Sequence, residues 1–312
     1  MAKRISIGSS KVTNLEQAYD EFINHSIAKG LSEKTIRFYK ENIGYFFRVI
    51  EQEVLCSEIA LVTVEDYILY MQSQTYSKTT IATRIRALRV FMYFCMERNY
   101  IEAFKIKIPK EEEVIKETYT EEEIKKLLKK PKGKSFAEYR NYIAVSLMIA
   151  TGARVNTVIN IKVKDLDFEN NCIALKVTKN KRHQIMPMST ALKGELMTYL
   201  RMWKTTDESY LFCNVYGKQM TDSGFKHEIA KYNVSRGVTK TSCHLFRHTF
   251  SKYYIIAGGD IFRLQKLLGH SSLDMVKKYV NMYGNDLSNG FDGLNLLDNI
   301  QANKQRIKIE NK

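Results

Sequence analysis

Through the first hundred residues, apolar side chains recur at helical spacing, interrupted by cap-forming residues and glycines. Asn14-Leu-Glu-Gln17 reads as a helix start and Gly30 as its stop. Ser32 caps a second helix, with Ile36, Tyr39, Ile43, Phe46 and Phe47 along its apolar side. Thr63-Val-Glu-Asp66 opens a third. Ser77 opens a fourth, along which Ile81, Ile85, Leu88, Phe91 and Met92 keep to one face. Short helices of this kind bury their stripes against one another as a small bundle. The bundle is assigned to residues 13–105, behind an N-terminal extension of residues 1–12.

The pattern changes at Lys105, where charge blocks replace the apolar stripe. Pro109 disfavours helix continuation, and Thr120-Glu-Glu-Glu123 is a fresh capping box. Residues 106–118 therefore read as an interdomain linker, and residues 119–284 as a second, mixed domain. A flexible link between two basic domains would let them close around a duplex. The second domain begins with an apolar helix over residues 139–152 that stops at Gly152. Residues 172–177 and 183–188 alternate as strands around the polar turn Thr178-Lys-Asn-Lys-Arg182, which predicts a hairpin. Helices follow near residues 190–203, over residues 242–257 up to Gly258-Gly259, and over residues 260–268 up to Gly269. Ser271-Ser-Leu-Asp274 caps a last helix carrying Tyr279. In the tail, residues 285–312, Leu287, Phe291, Leu294, Leu297 and Ile300 keep roughly helical spacing, suited to packing on its own domain or on a neighbour. No internal repeat is evident.

Composition narrows the function. The chain has 312 residues, room for two ordinary domains, and 44% hydrophobic content excludes a disordered protein. A formal net charge of +15 favours a polyanionic partner, nucleic acid before anionic membrane. No apolar run reaches membrane-spanning length, and the basic start MAKRISIGSSKV lacks an apolar signal-peptide core, so no membrane association is expected. The five cysteines show no CxxC spacing, which suits reduced thiols in a cytoplasm. On the bundle, Lys34, Arg37 and Lys40 mark the second helix. Lys78, Arg84, Arg86 and Arg89, with the hydroxyls of Thr79, Thr80 and Thr83, mark the fourth. Both sets suit phosphate contacts from helix N-terminal regions, although scattered Lys and Arg also describe an ordinary solvated face.

The chemistry concentrates in SCHLFRHTFSKYYIIAGGDIFRLQKLLGHSSLDMVKKY, residues 242–279. Breaking a phosphodiester without a metal requires a nucleophile, cations for the non-bridging oxygens, and a proton for the leaving oxygen. Arg154 and Arg247 suit the clamp, because guanidinium is always charged and presents a fork of donors. Arg247 lies one turn after His244 on the same helix face. His244 and His270 suit donation to the phosphate or proton transfer, and the residues alone do not say which acts as base. Lys179, at the tip of the predicted turn, suits a lysine placed beside the leaving oxygen in a minor groove, with Lys181 as its rival and Arg182 beside it. His244 and His248 also form an i, i+4 pair that suits two metal ligands, with Cys243 or His270 as a third. With no HExxH and no carboxylate nearby, His248 reads instead as a packed or hydrogen-bonded core histidine, and neither metal nor cofactor is expected.

The order of these motifs resembles the tyrosine recombinase family, also called the phage-integrase family. The resemblance rests on Arg154 in TGARVNTV, Lys179 in TKNKRHQIMPM, His244-Leu-Phe-Arg247-His248-Thr-Phe, Leu268-Gly-His270-Ser-Ser, and Tyr279 nine residues later. In the first half, KGLSEKTIRFY and YSKTTIATRIRALRVFMYFC resemble the family's core-binding domain less specifically. In size the chain is most similar to Xer-type recombinases and small mobile-element integrases. The resemblance implies an all-α SAM-like bundle followed by a mainly α catalytic domain with a small antiparallel sheet.

It also implies an enzyme, active on a double-stranded DNA recombination site. Tyr279 would be the nucleophile forming a 3′-phosphotyrosine. Arg154, Arg247 and His270 would hold the phosphate, Lys179 would protonate the leaving 5′ oxygen, and His244 would assist proton transfer. Four protomers, joined through the C-terminal helix, would pass through a Holliday junction on the bacterial nucleoid in the cytoplasm, with accessory DNA-bending or directionality factors as further partners. Two positions depart from the family's pattern: Thr157 replaces an acidic residue three positions after Arg154, and Tyr279 is followed by Val-Asn. A topoisomerase of type IB, a non-catalytic DNA-binding protein of the same fold and a metal nuclease are the rival readings.

Overall fold

Side-chain caps set the starts of the N-terminal helices. In a computed structural model, residues 14–50, 54–110, 117–133, 135–175, 184–203, 205–270 and 272–283 are described. The chain divides into two compact units, residues 1–114 and 115–312. In the first, α1 (Leu15–Ala28) begins where the Gln17 N–H donates to Asn14 Oδ1 at 2.8 Å. The second helix, α2 (Glu33–Gly44), is capped by Ser32, and α4 (Lys78–Glu97) by Ser77. Each cap serine meets the threonine three residues on, Ser32 with Thr35 and Ser77 with Thr80, at 2.8 Å between hydroxyls. In each case the residue two before the serine is left-handed, Gly30 at φ 69° and Thr75 at φ 58°. These paired helix starts are a local repeat that the sequence reading passed over. The third helix, α3 (Leu61–Ser73), starts two residues before the predicted Thr63, whose hydroxyl instead accepts from the Ala60 N–H.

The long α4 is the axis of this unit. Its Ile81, Ile85, Leu88, Phe91 and Met92 are buried with Phe22 of α1, Ile43 of α2 and Met71 of α3. Ile106 is buried in the same core and Ile108 packs on it, so the stretch assigned to the linker starts inside the bundle. The N-terminal extension, residues 111–116 of that linker and the C-terminal tail lie outside the described residues.

The second unit is built around α6 (Phe136–Thr151), which is buried on nearly every side. Around it pack α8 (Thr190–Leu200), α9 (Asp222–Ser235) and α10 (Cys243–Ile256). Before it stands α5 (Glu121–Leu127), whose capping box closes as predicted: Thr120 N–H donates to Glu123 Oε2, and Glu123 N–H to Thr120 Oγ1. A three-stranded antiparallel sheet joins β1 (Leu166–Asp167), β2 (Cys172–Leu175) and β3 (Gln184–Pro187), in that order. Ile173 pairs with Met186 and both face the core, while Ile185 next to it is 70% exposed. The hairpin is the predicted one, but its turn, residues 176–183, lies outside the described residues.

The sequence reading missed β1 and α9. Two residues of β1 are too few to show a period. Helix α9 did announce itself, with a Thr221 cap and Phe225, Ile229 and Tyr232 at helical spacing, but Gly224 in its first turn reads as a breaker. All five cysteines are free thiols. Among the described residues, no helix is long and apolar enough to cross a membrane.

Gly152 ends α6 at φ 64°, where only glycine is unstrained. A Cβ there would stand 2.5 Å from Phe250 Cδ1 and 3.0 Å from Leu268 Cδ2. Gly152→Ala is therefore expected to destabilise the protein by about 2 kcal/mol, from left-handed strain plus overpacking. Thermal melting checks this; an unchanged midpoint would contradict the crowding.

Candidate active site

Three helix ends bring the candidate side chains together. Arg154 follows the turn at Gly152 and precedes α7 (Val155–Val158). Arg247 projects from α10. His270 follows α11 (Ile261–Leu268), which Gly269 stops at φ 60°, and Tyr279 lies on α12 (Asp274–Tyr283). The last carbonyls of a helix have no intrahelical partner, and here the arginines supply it. Arg247 Nη1 donates to Gly152 O at 2.9 Å and Nη2 to Leu268 O at 2.7 Å. Arg154 Nη1 donates to the same Leu268 oxygen at 3.0 Å. Thus one main-chain oxygen holds both guanidinium groups. Thr157 offers no carboxylate to Arg154, which donates to Leu268 O.

Arg247 is 5% exposed. Burial, then the neighbouring Arg154 charge, pulls its pKa down to about 9, so it remains a cation at neutral pH. The negative ends of α6 and α11 lie against it and offset part of that cost. Arg154 is half-buried, and burial also lowers its pKa. Its remaining donors suit an arriving anion. Arg247 Nη2 lies 2.6 Å from His270 Nε2. Since guanidinium only donates, that nitrogen accepts, and His270 is the tautomer protonated on Nδ1.

Tyr279 is 5% exposed, packed with Leu264, Leu268 and Val276. Burial raises its phenol above the usual value of 10, against the pull of Arg247, the Ser251 hydroxyl and Arg154. Its hydroxyl lies 2.7 Å from His248 Nδ1. The sequence predicts a packed or hydrogen-bonded core histidine at His248. It is hydrogen-bonded, and its partner is the candidate nucleophile. His244 is exposed, with its ring centre 6.3 Å from that of His248. The two histidines weighed as a metal pair therefore differ in surroundings, and among the described residues no three His, Cys, Asp or Glu side chains gather as a metal site.

The signal for His248 was present in the sequence. His244, Arg247, His248 and Ser251 stand at i, i+3, i+4 and i+7, so one face of α10 is polar where a core stripe is expected.

Arg154, Arg247, His270 and Tyr279 thus share one site. Lys179, and with it Lys181 and Arg182, lies outside the described residues. On the bundle, Lys34, Arg37, Lys78, Thr79 and Arg86 are exposed, and Thr80 is half-buried against the Ser77 hydroxyl. Arg84 is a correction to the phosphate-contact set. It is 7% exposed, with its guanidinium 3.6 Å from the Tyr45 ring centre and 4.1 Å from that of Tyr76. Cation–π stacking between two rings holds it, which leaves little of its surface for a phosphate.

The chain is similar to known proteins over nearly its whole length. The Phage integrase family model matches residues 117–285, more than half of the chain. The model of the phage integrase N-terminal SAM-like domain matches residues 19–99. Tyrosine recombinase XerC of Staphylococcus aureus (strain USA300 / TCH1516) is 27% identical over 279 residues, covering 86% of this chain and 93% of that protein. The Tn1549 transposon integrase, solved with circular intermediate DNA, is 22% identical with a TM-score of 0.67, covering 94% of this chain and 99% of that one. The XerH site-specific recombinase, solved with palindromic difH substrate, is 19% identical with a TM-score of 0.66, covering 88% and 83%. Those two structures share the fold: a helical SAM-like domain and a mainly helical catalytic domain with a small antiparallel sheet. With both domains matched in order, the chain belongs to the phage integrase family and is a tyrosine recombinase.

Proposed function

We propose that this enzyme cuts and rejoins double-stranded DNA at a specific site through a 3′-phosphotyrosine on Tyr279. The observation that carries the reading is the placement of the buried Tyr279 hydroxyl among Arg247, Arg154 and a histidine. The two arginines hold the non-bridging oxygens of the scissile phosphate, with His270 fixed beside Arg247. The Tyr279 oxygen bonds to phosphorus as the bond from phosphorus to the 5′ oxygen breaks. Lys179 gives that oxygen its proton. The phosphodiester energy stays in the protein–DNA ester, so a 5′ hydroxyl from a second strand reverses the step without ATP or a metal.

In this reading Lys34, Arg37, Lys78, Thr79 and Arg86 of the helical unit, with Lys181 and Arg182, contact the backbone of the duplex, and residues around 109–118 link the two units. Four protomers exchange strands in pairs through a Holliday junction, held by the C-terminal tail of each on a neighbour. XerC and XerH relatives bearing the name recombinase support this assignment over simple strand relaxation.

Covalent trapping tests it. A nicked duplex, carrying the sequence that the purified protein selects from a random library, is incubated with protein in chelator. An SDS-stable adduct is expected. Binding without an adduct would favour the non-catalytic DNA-binding reading.

A further inference from the structure

The resemblance gives His244 the part in proton transfer, and a different histidine lies against the tyrosine oxygen. Tyr279 is buried, so its proton passes first to whatever touches its oxygen. Arg154 and Arg247 are cations with no acceptor. His270 Nε2 already accepts from Arg247. Ser251 directs its hydroxyl to Arg247 O at 2.9 Å, and a hydroxyl is in any case too weak a base. His244, the residue that the resemblance points to, is exposed and lies one turn away from the contact. The imidazole of His248 touches the phenol oxygen directly, at 2.7 Å from Nδ1, with ring centres 5.6 Å apart. That distance is within direct proton-transfer reach.

We propose that His248 is the general base for Tyr279. Its Nδ1 takes the phenol proton as the tyrosine oxygen bonds to phosphorus, and the electron pair of the breaking bond leaves on the 5′ oxygen. On rejoining, His248 returns the proton to the departing tyrosine. The site thereby divides its proton traffic, with the nucleophile served from α10 and the leaving oxygen by Lys179. His270 is left to orient Arg247.

The inference rests on Tyr279 being the nucleophile, and the test separates the two. Single-turnover adduct formation is measured on the nicked duplex for wild type, His248→Ala, His248→Asn and Tyr279→Phe, with DNA affinity and melting point measured beside it. His248→Ala and His248→Asn are expected to slow the adduct about 100-fold or more at unchanged affinity. Asparagine accepts a hydrogen bond but not a proton, so it preserves positioning alone. Ring-fluorinated tyrosine at position 279, a more acidic phenol, is expected to recover at least about tenfold in the His248→Ala background and to change little in the wild type. Wild-type rates in His248→Asn, or no recovery with fluorotyrosine, would overturn the proposal. If His248→Ala melts early, the folded His248→Asn variant and its fluorotyrosine form decide the matter in the same way. An adduct that persists in Tyr279→Phe would remove the nucleophile assignment and this proposal with it. An adduct lost there, with His248 variants at full rate, would remove only the proposal.

Discussion

Tyr279→Phe is expected to bind its DNA site with unchanged affinity and to form no covalent adduct. The ring keeps its packing against Leu264, Leu268 and Val276, so the fold loses only the hydroxyl's contacts with His248 and Ser251, about 1–2 kcal/mol. The rate loses its nucleophile. Removal of a covalent nucleophile that works with a base costs on the order of 10⁶-fold, which puts the variant below detection in a trapping assay. Gel-shift affinity beside SDS-stable adduct yield checks both halves. Loss of binding together with the adduct would mean that the ring, not its hydroxyl, matters.

Arg247→Lys carries the second large effect, because it acts on rate and on fold together. A lysine ammonium cannot reproduce two guanidinium nitrogens reaching Gly152 O, Leu268 O and His270 at once. Leu268 O keeps Arg154 as a donor, but Gly152 O or His270 Nε2 loses its own, which destabilises by about 2 kcal/mol. The phosphate loses its fork, for a further rate loss of about 10²–10³. Arg154→Lys makes the control. Arg154 is half-buried and has one contact to the Leu268 oxygen, so it should lose rate with a smaller change in melting point. Equal melting points for the two variants would contradict the difference in burial on which the argument stands.

Much of this was legible in the chain. Asn14, Ser32, Ser77 and Thr120 cap helices at the predicted starts, and Gly152 and Gly269 end them in the left-handed conformation. The site residues could be read because their side chains carry unusual chemistry at fixed spacing. The contacts that hold them could not, since Gly152 O and Leu268 O are main-chain atoms and every residue has a carbonyl. Arg84 was misjudged for a different reason. Charge suggested surface, yet Arg84 stands at core spacing with Ile81, Ile85 and Leu88, and two aromatic rings make its burial tolerable. His248 obeys the same rule. A polar residue on the buried face of a helix is more informative than its type alone suggests.

The Leu268 oxygen also bears on how such a chain can diverge. Substitution changes side chains and leaves carbonyls in place, so residue 268 needs only to be apolar and helical for Arg154 and Arg247 to keep their anchor. What the anchor does not tolerate is a change in chain length, since one inserted residue between Leu268 and His270 moves the oxygen and the imidazole relative to each other. Sequence drift and length conservation are therefore separate constraints on this corner of the protein. An engineer altering the site should expect position 268 to accept other apolar residues and the stretch from Leu268 to His270 to accept no insertion.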